Sequence, residues 1–325
     1  MFELGKVFQD LEILAIPTRT SFRGITTREV AIFRGSAGWS EFAPFVEYEA
    51  SEAKSWMQAA LEAAYKPWPE LKRAEIEINA TLPRVSADRV PEILKRFPGA
   101  KSIKIKVDDF EVDSDLVEAA LDFNPEVKIR LDVNGGWDLK QALLNLYNYH
   151  LRFGNVFEYI EQPVFELTDL KLLKSEIPMK IAVDESIRKA LNSDLSVLKD
   201  CADVAIIKWA PGGGFENTKK LIKEIGLPVV ISSALDTGIG ISHGLALAAS
   251  QETLDYACGL GTISLFESDI CLAENAMKDG KLKVNRAIPD EILVEKYRAS
   301  ADRRLWWEER ITKVIANGGF DEYFN

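Results

Sequence analysis

Histidine is almost absent: only His150 and His243 occur in 325 residues. Both sit in apolar helical surroundings, away from the acidic positions described below, so a histidine base or a histidine-rich metal site is disfavoured and packing roles are expected. Cysteine is nearly as scarce. Cys201, Cys258 and Cys271 are odd in number and lack CxxC spacing, which argues against a disulfide framework or a thiolate zinc site and leaves reduced core thiols. No apolar run approaches the roughly 20 residues that span a bilayer; Leu227 to Ile231 gives way at once to serines. The N-terminal Met1-Phe2-Glu3-Leu4-Gly5-Lys6 has neither a basic region nor a continuous apolar region. No secretory signal is therefore expected, and the cytoplasm is the default compartment. Positive charge is also short, with 40 Lys and Arg against 51 Asp and Glu and a net charge of −11. That balance opposes a polyanion such as nucleic acid and points to a small-molecule partner.

What the chain does have is enough apolar residue for a large core: 47% hydrophobic against 28% charged, the balance of a folded globular protein. From Ala74 onward, short strand-like runs ending in polar residues alternate with helical stretches. The runs are Ile76 to Asn79, Ser102 to Val107, Lys128 to Val133, Phe157 to Ile160, Lys180 to Val183, Val204 to Lys208, Pro228 to Ser232 and Leu254 to Cys258. Such a repeat predicts parallel βαβ units, and eight of them predict an α/β fold of the closed (β/α)-barrel, TIM type. The first seventy residues lack this beat. They show strand-like segments at Glu12 to Ile16 and Glu29 to Phe33, a helical run from Ala53 to Ala64, and a break at Tyr65-Lys66-Pro67-Trp68-Pro69. The tail, with Trp306-Trp307 in a charged helical pattern, is expected to fold back on this region. The expected division is an α+β capping domain of residues 1–72 with 276–325 and a barrel of 73–275.

Five ionisable residues recur at the ends of successive predicted strands: Lys106, Asp132, Glu161, Asp184 and Lys208, spaced by 26, 29, 23 and 24 residues. In a parallel barrel these ends meet at one mouth, where barrel enzymes place their chemistry. Any one of these residues alone is more often a helix cap or a surface ion-pair partner; five at successive strand ends are not. Three carboxylates sharing a cavity repel one another unless a cation sits between them. All-oxygen ligation favours a hard ion, Mg²⁺ with Mn²⁺ as a substitute. Lys104 lies two residues from Lys106 and so faces the same mouth. Lys208 stands four strands away, on the opposite wall. A lysine near a divalent cation and another lysine is expected to have a lowered pKa and to serve as a base. With a metal to stabilise an enediolate, the expected reaction is proton abstraction next to a carboxylate.

At these residues the chain resembles the enolase superfamily and its muconate-lactonising-enzyme subgroup. The matching motifs are Lys104-Ile105-Lys106, Asp132-Val133-Asn134, Glu161-Gln162-Pro163, Asp184-Glu185 and Lys208. Nearly the whole chain is covered, since the end segments are similar to that superfamily's capping domain. Ser21 to Glu29, Gly38 to Phe45 and Gly259-Leu260-Gly261-Thr262 resemble the o-succinylbenzoate synthase family in its actinobacterial form. That resemblance implies loss of water from a cyclohexadiene carboxylate on the route to menaquinone. Lys106 would be the acid/base, Lys208 the cation opposite, and Asp132, Glu161 and Asp184 the Mg²⁺ ligands. Lys104, Asn134, Glu185, Ser232, Ser233, Gly259, Gly261, Phe22 and Arg23 are candidates for binding substrate or supporting the site. Phe22, Arg23 and Gly24 are expected in a mobile capping loop.

Ser232 and Ser233 serve equally as helix caps, and Gly259 and Gly261 equally as a tight turn. Gly212-Gly213-Gly214 lacks the Lys-Ser/Thr of a phosphate loop and is expected to be a flexible connection. Two other functions compete. Two lysines facing each other also suit a racemase or epimerase of N-acylamino acids or dipeptides, although the Asp-x-Asp usual for dipeptide epimerases is missing at the eighth strand end. A non-catalytic binding barrel is the other, against which both lysines and all three ligands stand intact.

Overall fold

The computed structural model describes residues 8–22, 24–190, 194–272 and 276–323. Strands β1 (Gln9–Phe22), β2 (Ile25–Gly35) and β3 (Gly38–Phe42) form an antiparallel meander. Helix α1 (Ala50–Tyr65) follows, started by a reciprocal capping box between Glu49 and Glu52. Its buried face, with Ala53, Met57, Ala60 and Ala64, lies against this sheet. The approach is close enough that a Cβ on Gly35 would stand 2.5 Å from the Ala64 carbonyl oxygen, so only glycine fits there. Near the other end of the chain, helix α10 (Glu291–Tyr297) precedes α11 (Ala301–Ala316). In α11, Trp307 is fully buried, set edge-on to Phe42 at 5.9 Å between centroids, and donates its indole N–H to Glu29 at 2.8 Å.

The second body is the parallel barrel sheet. It runs in order through β5 (Ala80–Leu82), β6 (Ser102–Lys106), β7 (Lys128–Asp132), β8 (Phe157–Glu161), β9 (Ile181–Val183), β10 (Val204–Lys208) and β11 (Val229–Ser232). Helices α2 (Val90–Leu94), α3 (Phe110–Phe123), α4 (Leu139–Phe153), α5 (Leu167–Glu176), α6 (Glu185–Ala190), α7 (Leu198–Cys201), α8 (Phe215–Ile225) and α9 (Gly238–Ala249) intervene. Side-chain caps start several of them: Asp109 accepts from Glu111 N–H and Asp138 from Gln141 N–H, both at 2.8 Å. The (β/α)-barrel with an α+β cap is thus the architecture present.

Two of the eight expected strands differ from expectation. The segment at Ile76 is captured elsewhere: β4 (Glu75–Glu77) pairs antiparallel with β12 (Lys281–Lys283), so the first regular strand of the barrel sheet begins at Ala80. The expected eighth strand shrinks to two bridges, Ile78 to Cys258 and Ser232 to Gly259. Here the Ala257 carbonyl is taken by the buried guanidinium of Arg130, at 2.8 Å, instead of by a neighbouring strand. These bridges still close the ring.

The cap joins the barrel at a buried polar cluster. Glu41 of β3 accepts from the N–H (3.2 Å) and hydroxyl of Thr237, the N-cap of α9. Burial and the adjacent Asp236 carboxylate push Glu41 up to about 8, with the Thr237 bond opposing. An unfolded glutamate titrates near 4.5. Between these values the folded protein holds a proton that the unfolded chain has released, so stability is lost as pH rises through about 8. Glu41→Gln keeps the acceptor without the charge. Its melting temperature should therefore gain on the wild type from about pH 4.5 to about pH 8, and parallel melting curves across that range would show an ordinary carboxylate instead.

Candidate active site

Parallel register brings the five strand-end residues together. Lys106 pairs with Asp132, and Asp132 with Glu161, so these three stand at one level on three adjacent strands. Lys208 pairs with Ser232, which bridges to Gly259, setting the opposite wall at the mouth. Asp184 is the first residue beyond β9. One pocket is lined by all five, together with Lys104, Asn134, Glu185, Ser232, Ser233 and Gly259.

Lys104, one layer below Lys106, bridges two carboxylates, 2.9 Å from Asp132 and 3.0 Å from Glu161. Lys106 lies 2.5 Å from Asp132 and donates to Asn134 Oδ1 at 2.5 Å. Lys208 lies 2.5 Å from Asp184. Asn134, at a positive φ of 54°, passes the chain of contacts on by donating to Glu185 at 3.0 Å.

The ionisation pattern follows from this mixture. Burial raises the carboxyl of Asp132, but Lys104 and Lys106 outweigh it and hold the group well below the usual range. Glu161 goes the other way, to about 7, because burial and the Asp132 charge exceed the help from Lys104. Burial disfavours the Lys208 ammonium, yet Asp184 and Glu185 more than compensate and its pKa is raised. Lys104 is raised further, by Asp132 and Glu161 against burial. The nearest charges to both lysines are carboxylates.

Among the described residues, no group of three or more acidic, histidine or cysteine side chains converges as a finished metal cage. The donor set nonetheless suits a hard cation. Asp132 Oδ1 and Glu185 Oε2 are buried without a hydrogen-bond partner, an arrangement costly to a carboxylate unless a cation faces it.

Other candidates divide. The hydroxyl of Ser233 donates to Gly259 O at 3.0 Å and pairs with Thr262 Oγ1 at 2.7 Å; Ser232 reaches the same carbonyl at 3.3 Å. Gly259 is pressed on Ser232, where a Cβ would come within 2.5 Å of the hydroxyl. Gly261 is not in the lining; a Cβ there would meet Phe97 at 2.9 Å. Arg23 and the side chain of Phe22 lie outside the described residues. The backbone at Phe22 pairs with Ile25. His243 is buried; Trp68 donates to its Nδ1 at 3.0 Å, and burial pushes its pKa down to about 3, a packing role.

Several contributors were not anticipated. Phe45, Thr81, Ala234 and Thr262 also line the pocket. Gln162 is a buried bracket: its Oε1 accepts from the N–H of Asp184 (3.0 Å) and of Ser186 (3.1 Å) while its Nε2 donates to Ser186 Oγ and Val164 O. Its place between Glu161 and Pro163 was the available signal. Gly212-Gly213-Gly214 also gains a reason. Glu62 of α1 caps α8 by accepting from the N–H of Phe215 and of Glu216, and a Cβ on Gly214, at φ 96°, would collide with that carboxylate.

The protein-family comparison matches residues 13–64 to the "Enolase N-terminal domain-like" family and 90–289 to the "Enolase C-terminal domain-like" family. The chain is similar to the o-succinylbenzoate synthase of Mycolicibacterium smegmatis, 42% identical over 95% of this chain and 96% of that protein. The Mycobacterium marinum o-succinylbenzoate synthase is 44% identical over 95% and 94%. In structure it is similar to the muconate lactonizing enzyme of Pseudomonas putida, with TM-score 0.72 and 18% identity over 89% of this chain and 98% of that one. The L-Ala-D/L-Glu epimerase of Bacillus subtilis gives TM-score 0.70 at 20% identity over 86% and 96%, a likeness of fold. Full-length likeness at this level of identity, over a mouth that carries every residue of the lysine and carboxylate pattern, places the chain in the enolase superfamily, as a member of the o-succinylbenzoate synthase family.

Proposed function

We propose that this enzyme, a hydro-lyase, converts 2-succinyl-6-hydroxy-2,4-cyclohexadiene-1-carboxylate to o-succinylbenzoate in menaquinone biosynthesis. The observation that supports this best is the pair Lys106 and Lys208 on opposite walls of a mouth whose floor is Asp132, Glu161 and Asp184. Members of the enolase superfamily use a divalent metal. Here Mg²⁺, with Mn²⁺ as a substitute, would be held by those three carboxylates, supplying positive charge against the negative charge that grows on the substrate carboxylate.

Lys106 acts as the base and takes the proton from the carbon bearing the carboxylate, and the electron pair passes into the carboxylate as an enediolate. The same ammonium then returns the proton to the departing hydroxyl on the same face. The C–O bond breaks, water leaves and the ring becomes aromatic. One base on one face thus serves both halves of a syn elimination. Lys208 remains a cation on the other face and stabilises the enediolate. Asn134 orients Lys106 by accepting a hydrogen bond from its Nζ through Oδ1, and Gln162 holds Asp184 in place. In this reading residues 1–72 with 276–325 form a cap over a barrel of 73–275, and Phe22, Arg23, Ser232, Ser233 and Gly259 contact the substrate.

A racemase built on the same lysines is the alternative to test. The protein with Mg²⁺ should dehydrate the cyclohexadiene substrate and exchange the α-proton of N-succinylamino acids slowly by comparison. Fast α-deuterium incorporation in D₂O from both enantiomers, with negligible dehydration, would decide for the racemase.

A further inference from the structure

We propose that two buried arginines, Arg28 and Arg310, act as positioning residues that cradle residues 43–48 and so fix Phe45 as a wall of the catalytic pocket. Phe45 is 4% exposed and lines the pocket beside Lys208 and Ala234. It belongs to the connection between β3 and α1, where the N–H of Tyr48 donates to Phe45 O at 3.1 Å. Buried carbonyls in such a segment need donors.

The arginines provide them from two directions. Arg28, on β2, donates through Nη2 to Ala43 O, and its guanidinium carbon lies 4.3 Å from the centroid of the Phe45 ring. The same side chain donates to Leu235 O at 3.1 Å and Ala234 O at 3.3 Å, on the pocket rim beyond β11. Leu235 has a positive φ of 61°, a conformation unfavourable to leucine that persists only where surrounding contacts impose it. Arg310, on α11, donates to Phe45 O at 2.8 Å and Tyr48 O at 2.7 Å. One guanidinium therefore ties the cap side of the wall to the barrel rim, and the other ties the wall to the C-terminal helix. Burying two such cations is costly, and a simple brace needs only apolar contact. What arginine adds is several donors in one rigid plane, which sets the position of the Phe45 ring and not only its burial.

A cradle and a purely structural brace make different predictions. Glu62 supplies the comparison: it also joins cap to barrel, at the start of α8, but does not line the pocket. Lysine at position 28 or 310 keeps a cation but ends one bond short of the Nη2 that reaches Ala43, Phe45 and Tyr48, and lacks the planar fork. Arg28→Lys and Arg310→Lys should each raise KM for the cyclohexadiene substrate by about 10- to 100-fold, with a smaller change in kcat, as expected where the lost contact binds ground state and transition state alike. Both should speed backbone hydrogen exchange across residues 43–48. In a Phe45→Leu background, Arg28→Lys should add little to the rise in KM, because the two act through one ring. Glu62→Ala should lower the melting temperature and leave KM unchanged.

The kinetic arm rests on the function proposed above, whereas the exchange arm does not. Absence of dehydration by the wild-type protein would count against that function, and exchange at 43–48 would still judge the cradle. Should Arg28→Lys not fold, Arg310→Lys decides, since it leaves the Arg28 bonds intact. Lysine variants that match Glu62→Ala in kinetics, or that leave exchange at 43–48 as in the wild type, overturn the proposal.

Discussion

Lys106→Ala should lower dehydration by on the order of 10²- to 10⁴-fold, the usual range for loss of a positioned general base. The expectation follows from position: Lys106 ends β6, stands level with Asp132, and is oriented by Asn134 Oδ1 at 2.5 Å. Because one base serves both proton steps, no second residue can take over half of the reaction. Lys208→Arg should be impaired less and for a different reason. It keeps the cation, but a planar guanidinium cannot reproduce the compact contact that the ammonium makes with Asp184 at 2.5 Å. Both variants should still bind Mg²⁺ in a calorimetric titration, since all three carboxylates remain. Steady-state rates within about tenfold of wild type for Lys106→Ala would remove it from the chemistry, against the range cited for such bases.

Much of this site could be read from spacing, and the structure shows why. Lys106, Asp132, Glu161 and Lys208 are the final residues of β6, β7, β8 and β10, and a parallel ladder carries one strand end to the level of the next. Lys104 was legible for the same reason, through the two-residue period of a strand. Thr81 was not. Ile76 and Ile78 alternate like a barrel strand, but β12 pairs with Glu75 to Glu77, so the first barrel strand begins later and Thr81, which lines the pocket, stands beyond the segment that the alternation marks. The eighth strand misled in the opposite sense, since a side chain distant in sequence, Arg130, claims a carbonyl there. Arg28 and Arg310 carry no sequence signal, because an arginine in a charged segment reads as surface until the fold buries it.

Chelation of the metal should abolish turnover while leaving the fold nearly intact. Activity depends on positive charge at the carboxylate floor, a contribution of several kcal/mol to the transition state. The fold has compensation of its own: Asp132 is paired with Lys104 and Lys106, Glu161 with Lys104, and Asp184 with Lys208. The repulsion among three carboxylates that would otherwise strain the barrel is thus offset from within. After treatment with a chelator, the rate should fall to background and return on adding Mg²⁺, or Mn²⁺ as its substitute. The melting temperature should fall by no more than the linkage expected from losing a bound ligand, about RT ln(1 + [L]/Kd) at the metal concentration used. Asp184→Asn should show the same pattern permanently, with weakened metal binding. Asparagine still leaves Gln162 accepting from the backbone N–H of residue 184, so the strand end should stay in place. Full turnover by the chelated protein would remove the metal from the mechanism, and global unfolding on chelation would show that the lysines do not offset the carboxylates.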